Sequence, residues 1–161
     1  MSQSQNATLS PYLFLGLILR PLFNSRLMQP CLNALTKRVL KKHPKIIERL
    51  SEQEPAKLII SPLDFPCAFL FDLNAPDIKI SILKKTDQVE YDAKVQGSYV
   101  DLLDMLEGRI DGDALFFSRK LSIDGSTEMV VALRNIMEAE SVNLKEMILS
   151  LSGPFKLPCS L

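Results

Sequence analysis

Side chains that could do covalent or metal chemistry are few in this 161-residue chain, and they are widely spaced. The three cysteines, Cys31, Cys67 and Cys159, form no CxxC pair, so their spacing predicts neither a disulfide framework nor a zinc site. The one histidine, His43, precedes Pro44 in a basic stretch, and no nucleophile motif accompanies it. We therefore expect free, mostly buried thiols in a reducing compartment, a surface histidine, no metal and no cofactor.

Motifs of known enzymes are also missing from the sequence, which contains no GxSxG, Walker loop, GxGxxG or HExxH. Asp101 and Asp104 fall on the outer face of a predicted helix, where a carboxylate is solvated more often than it is catalytic. The stretch 111–113, Asp-Gly-Asp, marks a turn and lacks the further ligands of a calcium loop. The sequence predicts a protein that is not an enzyme, with a lipid hydrolase using His43 or Cys67 as the alternative.

Charge is distributed unevenly although the net charge is zero. Residues 1–45 hold seven basic and no acidic residues, which leaves 12 basic and 19 acidic residues for the rest of the chain. The apolar run over 12–19 is too short to cross a membrane, since a spanning helix needs about 20 residues. We expect residues 12–45 to make transient contact with an anionic membrane surface, or else to face acidic residues of the same protein. No nucleic-acid partner is expected, because the domain as a whole is not basic.

Apolar spacing with a period of 3.6 residues predicts the helices. They are expected over 12–19, 22–28, 31–43 with a further turn or two around 46–50, 98–107, 126–140 and 143–151. Pro30 is expected to separate the second and third helices, and Pro44 to interrupt the third. Gly108 is a candidate C-cap, and Ser126 a candidate N-cap.

Apolar runs and two-residue alternation predict five strands, over 57–60, 68–73, 78–83, 89–96 and 119–124. The cleanest alternation lies in the fourth strand. A short polar link around Thr86 and Asp87 predicts an antiparallel hairpin of the third and fourth strands. The order of elements predicts an α+β fold with a single antiparallel sheet of about five strands.

The segment 114–135 resembles the signature of the sterol carrier protein type-2 family. In that signature a Phe-Phe pair precedes a basic residue and a strand of the form Lys-Leu-x-Ile-x-Gly, and a helix follows that ends the motif with Asn. The matching positions here are Phe116, Phe117, Lys120, Leu121, Ile123, Gly125 and Asn135. The stretch 97–108 is similar to the small helix that lies between strands in that family.

Within the family, the chain looks similar to a bacterial branch, the accessory lipid-binding factor (T type) of oxygen-independent ubiquinone biosynthesis. That branch carries Asp-x-Asp-x-Leu-Phe-Phe and then Gly-Asp-Thr-Glu. This chain has the first motif at 111–117 and Gly-Ser-Thr-Glu at 125–128. It departs from the branch at Ser126, where Asp is usual, and at 129–131, where a Leu-Gly pair would be expected. These departures could alter the lining of a pocket.

The resemblance implies a sheet with helices packed over one face, enclosing an apolar tunnel for an isoprenoid or acyl chain. It implies a lipid-binding domain over 31–140, preceded by an apolar and basic helical segment over 1–30 and followed by an amphipathic segment over 141–161. The ligand would be a polyprenylated ubiquinone precursor, presented to other ubiquinone-biosynthesis proteins in the cytoplasm or at the periphery of the inner membrane. A general phospholipid or fatty-acid carrier, and a scaffold without lipid, are the alternatives.

Periodicity selects the inward-facing residues that would line such a tunnel. They are Phe69, Phe71, Ile80, Ile82, Leu102, Leu106, Phe117, Leu121, Val130, Leu133 and Met137. Ordinary core packing stays an open alternative for each of them. Arg119 and Lys120 could contact a polar head group, although a solvated strand edge is the more ordinary role for such a pair.

Overall fold

A computed structural model describes residues 25–109, 114 and 119–151 of the chain. The elements follow one another in this order: α1 (Ser25–Lys42), α2 (Lys45–Ser51), β1 (Lys57–Pro62), β2 (Cys67–Asp72), β3 (Lys79–Lys84), β4 (Ala93–Gly97), α3 (Tyr99–Leu106), β5 (Ser122–Gly125), α4 (Thr127–Ala139) and α5 (Leu144–Leu151). The predicted helix 12–19 lies outside the described residues. Within them, no helix is both long and apolar enough to cross a bilayer.

The first described helix is longer than the sequence predicted. Pro30 lies inside α1, so the predicted helix break at this residue is wrong. A proline within a helix removes one backbone hydrogen bond, but packing of the helix against other elements can offset that loss. Here the turn that contains Gln29 is bonded to β3, which holds the start of α1 in place. The predicted interruption at Pro44 is confirmed, because Pro44 is the N-cap of α2.

The later helices begin and end close to their predicted boundaries because their caps are encoded locally. The Ser98 hydroxyl accepts a hydrogen bond from the Asp101 N–H at the start of α3. Gly108 follows that helix with a φ of 70°, the left-handed conformation expected of a glycine C-cap. The Ser126 hydroxyl accepts from the Met129 N–H and caps α4, as predicted.

The sheet has five strands in the order β3-β2-β1-β4-β5. The α+β class is confirmed, but the sheet is mixed rather than wholly antiparallel, because β1 and β4 run parallel. The predicted hairpin of the third and fourth strands is wrong. β3 is an edge strand that pairs with β2 only, whereas β4 lies on the far side of β1.

The connection between β3 and β4 explains that error. Its residues 85–91 pass across the face of the sheet that the helices leave uncovered. The alternation over 89–92 therefore belongs to a crossing segment, and the ladder begins only at Ala93. Asp92 docks this segment beside β1, because its N–H donates to the Lys57 carbonyl and its carboxylate accepts from the Lys57 N–H.

The final strand is shorter than predicted. β5 begins at Ser122 rather than at Arg119, which adopts a φ of 50° and stands outside the ladder. Gly125 ends the strand with a φ of 85°, and a Cβ at this position would lie 2.2 Å from the Asp92 carbonyl oxygen. Only glycine fits such a close approach between β5 and the start of β4.

The core lies between the sheet and the helices. One row of side chains crosses all five strands on the helix-covered face: Ile82, Phe69, Ile60, Val95 and Ile123. Leu58, Ala93 and Val95 have no exposed surface. The outer boundaries proposed for the domain, at residues 31 and 140, stay predictions.

Candidate functional site: an apolar cavity

The core contains a cavity of about 170 Å³ between the sheet and the five helices α1 to α5 of the described residues. Its floor is made by β1, β2, β3 and their neighbouring turns, and its walls and roof by helical residues. The lining residues are Ile60, Pro62, Phe69, Phe71, Leu73, Ile78 and Ile80 from the sheet side, and Leu32, Leu35, Thr36, Val39, Leu40, Ile46, Leu50, Tyr99, Leu102, Leu103, Leu106, Leu133, Met137 and Leu144 from the helix side.

The lining is almost free of polar groups. Among the described residues that form it, only Thr36 and Tyr99 carry a side-chain oxygen. The Thr36 hydroxyl donates to the Leu32 carbonyl at 2.9 Å and is therefore satisfied within α1. A cavity with this lining attracts apolar chains, because no buried donor or acceptor is left there to be paired with water.

The cavity extends along β1. Leu73 lies at the start of that strand, where its N–H donates to the Ala56 carbonyl, and Pro62 lies at its end. Six residues of strand span roughly 17 Å. Tyr99 lies near Pro62, because the N–H of the next residue, Leu63, donates to the carbonyl of Gly97. Gly97 precedes Tyr99 by two residues. The two ends of the cavity are therefore the Leu73 end and the Tyr99 end.

The open edge of β3 is closed by a side chain of α1. The Gln29 amide nitrogen donates to the Ile80 carbonyl at 2.7 Å, and its amide oxygen accepts from the Ile82 N–H at 2.9 Å. This pair reproduces the hydrogen bonds of a neighbouring strand, so the edge is protected from pairing with another chain. It also fixes α1 against the sheet along one side of the cavity.

The last helix is fixed by charged groups outside the apolar lining. The Glu107 carboxylate accepts from the Lys145 N–H at 2.8 Å and also pairs with Arg109 at 2.6 Å. The Lys145 ammonium pairs with Asp104 at 2.6 Å. These contacts attach the start of α5 to α3 and place Leu144 over the cavity. Asp104 thus has a structural partner.

Seven of the eleven residues selected from periodicity lie on this cavity: Phe69, Phe71, Ile80, Leu102, Leu106, Leu133 and Met137. Ile82 shares the face of Ile80 but does not line the cavity. Val130 is buried in the core beside it, and Leu121 is partly buried against that core. Phe117 lies outside the described residues. Contact of any of these residues with a lipid stays a prediction.

The sequence selection missed the contribution of α1 and α2. Leu32, Leu35, Val39 and Leu40 form an apolar stripe that was evident in the sequence and that lines the cavity. Ile46 and Leu50 of α2 continue it. The stripe identified a buried helix face, but periodicity does not indicate which part of a core is hollow.

Cys67 and His43, the two residues considered for a lipid hydrolase, do not form an activated pair of nucleophile and base. Cys67 is buried, and desolvation by burial raises the pKa of its thiol, although the nearby Lys85 ammonium opposes this shift. A thiol with a raised pKa supplies little thiolate at neutral pH. His43 is half-buried at the end of α1. No group of three His, Cys, Asp or Glu side chains within the described ranges is placed to hold a metal ion.

Taken together, the fold and the cavity define a small α+β domain that encloses an apolar space between a five-stranded sheet and its helices. Residues 32–138 match the SCP-2 sterol transfer family, and the chain belongs to that family. This is a family of lipid-binding domains. A comparison with curated protein sequences finds no match.

Solved structures share the fold at low sequence identity. A UbiJ-SCP2 ubiquinone synthesis protein is 17% identical, with 77% of this chain and 95% of that chain covered and a TM-score of 0.55. Sterol carrier protein 2 from Yarrowia lipolytica, in its apo form, is 16% identical, with 75% and 94% covered and a TM-score of 0.46. A sterol carrier protein-2 like-3 from Aedes aegypti is 20% identical, with 62% and 93% covered and a TM-score of 0.43.

Proposed function

We propose that this protein is a non-catalytic carrier that binds polyprenylated intermediates of ubiquinone biosynthesis and presents them to modifying enzymes. The observation that supports the proposal is the apolar cavity between the sheet and the helices. Family membership supports lipid binding in general, and the resemblance at 111–128 favours the ubiquinone pathway. The similarity to a ubiquinone synthesis protein agrees with that pathway.

The lining favours a ligand that is recognised through its chain. Each buried methylene contributes about 0.8 kcal/mol to binding, so a prenyl tail is held by area alone. A charged or strongly polar head group would lose its hydration inside such a lining without finding partners. The head group therefore stays at one end of the cavity, where a modifying enzyme has access to it.

The size of the cavity requires the protein to adapt when it loads a long tail. Pockets for drug-sized ligands usually measure about 300–1,000 Å³, and this cavity is smaller. Loading then moves helices away from the sheet or changes the rotamers of flexible lining residues such as Met137.

Membrane contact through residues 12–45 is part of the proposal. Lys37, Lys41, Lys42 and Lys45 are exposed on or just after α1, whose opposite face lines the cavity. Each basic residue near an anionic bilayer contributes about 1 kcal/mol. A helix that binds the bilayer through one face and covers the lipid with the other would couple docking to loading.

The proposal is tested by two tryptophan substitutions on the same strand. Ile80 lines the cavity, whereas Leu83 is comparably half-buried on the opposite face of β3. We expect Ile80→Trp to fill the cavity and to lower binding of a prenylated phenol at least tenfold. Leu83→Trp is expected to leave binding unchanged, which controls for the general effect of a large side chain.

Equal binding by the two variants and the unmodified protein would refute a ligand site in this cavity. Binding of phospholipid or fatty acid in preference to the prenylated phenol would instead favour a general lipid carrier. Absence of any lipid binding by the folded protein would favour a scaffold.

A further inference from the structure

A second space adjoins the cavity at its Leu73 end. This space, the vestibule, measures about 350 Å³ and lies between the loop over 52–56, which joins α2 to β1, and the first two turns of α4. Apart from three leucines that it shares with the cavity, its described lining consists of residues 53–56, Asp92, Ser126, Glu128, Met129 and Ala132.

Three leucine side chains form the partition between the vestibule and the cavity. Leu50 of α2, Leu73 after β2 and Leu133 of α4 are buried and line both spaces. Because the same side chains border both spaces, the partition is one side chain thick. The groove on the opposite face of the sheet has no described lining residue in common with the cavity.

Other boundaries of the cavity are held by polar contacts. α1 is bonded to β3 through the two hydrogen bonds of the Gln29 amide, and the start of α5 is bonded to the Glu107 carboxylate of α3. α2 is attached to the far end of α4 by the ion pair of Arg49 with Glu140 at 3.4 Å. At the partition, by contrast, leucine side chains need only move between staggered rotamers. Entry from the vestibule therefore breaks none of these polar contacts.

We propose that the vestibule is the mouth of the cavity, where the lipid chain passes between the three leucines and the polar head group remains in the vestibule. This inference rests on the proposed function and adds to it the route of entry and the position of the head group. The cavity and the vestibule together reach the size usual for ligand pockets, about 300–1,000 Å³, which the cavity alone does not.

The polar groups of the vestibule indicate which head groups it accepts. The Ser126 hydroxyl and the Asp92 carboxylate each accept a hydrogen bond from a backbone N–H. Glu54 and Glu128 are exposed, and no basic side chain is among the described lining residues. Carboxylates accept hydrogen bonds from a hydroxyl and repel a phosphate or another carboxylate. A neutral head group with O–H donors, such as a phenol, therefore suits the vestibule.

Filling the vestibule without changing the cavity tests the route of entry. Ala132 lines the vestibule but not the cavity, whereas Ala139 is exposed at the end of the same helix and lines neither space. We expect Ala132→Trp to slow the uptake of diphenylhexatriene, measured by stopped-flow fluorescence, by about tenfold or more, because a filled mouth must open before a chain can pass. Ala139→Trp should take up the probe at the rate of the unmodified protein.

Reversing one charge tests the position of the head group without filling any space. Glu54→Lys should strengthen the binding of a fatty acid relative to a prenylated phenol by about threefold, the size of an exposed charge interaction. The control is Glu48→Lys, which makes the same change of charge at an exposed position of α2 that lines neither space. Both positions are exposed, so this comparison holds even if Ala132→Trp does not fold.

Normal uptake by a folded Ala132→Trp variant would place the mouth elsewhere. Equal fatty-acid preference in Glu54→Lys and Glu48→Lys would place the head group elsewhere. Either result would overturn this inference and leave the carrier function intact, because the Ile80→Trp test of the cavity is independent of the vestibule. Failure of the unmodified protein to bind diphenylhexatriene or the prenylated phenol would refute the carrier function itself.

Discussion

The two faces of the sheet carry spaces that differ in both size and lining. The helix-covered face holds the apolar cavity of about 170 Å³, whereas the opposite face carries a groove of about 650 Å³. This outer groove is lined by Ile59, Ser61, Ala68, Leu83, Lys84, Lys85, Asp87, Gln88, Val89, Glu90, Tyr91, Lys94 and Gln96. The groove is larger, but its lining contains several charged and polar side chains. The smaller space is the better candidate for a lipid, since its apolar lining determines the gain from burial.

The largest difference between the two faces is expected in stability. Leu102 is 2% exposed and packs on the cavity side, whereas Leu83 is half-buried on the outer groove. Leu102→Ala should lower the free energy of unfolding by about 2–5 kcal/mol, because it deletes buried methyl groups in the core. Leu83→Ala should cost less than half as much. Urea denaturation of both variants measures the difference, and equal losses would show that the faces are equally packed.

The next largest effect is expected on membrane binding, and it distinguishes the exposed face of α1 from the face that lines the cavity. Replacing Lys37 and Lys41 together by Glu should weaken sedimentation with anionic vesicles by at least tenfold, because each basic residue contributes about 1 kcal/mol at such a surface. Binding of a prenylated lipid in solution should be unchanged, since these side chains are exposed and lie off the cavity. If vesicle binding is unaffected, residues other than this part of α1 make the membrane contact.

A smaller effect is expected where α1 meets the sheet edge. Gln29→Leu removes both hydrogen bonds to β3 and should lower the free energy of unfolding by about 1 kcal/mol. Amide exchange at Ile82 should accelerate, because its N–H loses its acceptor. Asn33→Ala is the control, since it removes only the exposed contact between Gln29 and Asn33. Unchanged exchange at Ile82 would contradict the role of Gln29 in closing the edge.

The smallest expected effect is a difference in the reactivity of two thiols. Cys31 is exposed on α1, whereas Cys67 is buried at the start of β2 and its pKa is raised by that burial. Because a raised pKa lowers the thiolate fraction at neutral pH, iodoacetamide should modify Cys31 well before Cys67. Peptide mass mapping over time gives the two rates. Comparable rates would mean that the core opens readily on the helix-covered face.

The elements predicted best from the sequence were those with local signals. α3 and α4 have serine N-caps, and their apolar stripes match their buried faces. Pro44 ends α1 as expected. The strand pairing was predicted less well, because alternation shows which residues face the core but not which strands are neighbours. The parallel pairing of β1 with β4 depends on contacts such as that of Asp92 with Lys57, which are distant in the sequence.

The candidate site was predicted in part for a similar reason. The Phe69 and Phe71 positions followed from alternation, and Leu102 and Leu106 from the stripe of α3. Tyr99 was part of that same stripe, but its place at one end of the cavity depends on the stacking with Phe65 across two elements. A void between packed elements is a property of the whole core, so residue periodicity cannot locate it.

Mass spectrometry of the lipids extracted from the protein after purification without detergent tests whether the protein carries a polyprenylated ligand. We expect near-stoichiometric polyprenylated phenol or quinone. Phospholipid alone would contradict the proposed ligand, and a folded protein that carries no lipid would contradict the lipid-carrier function itself.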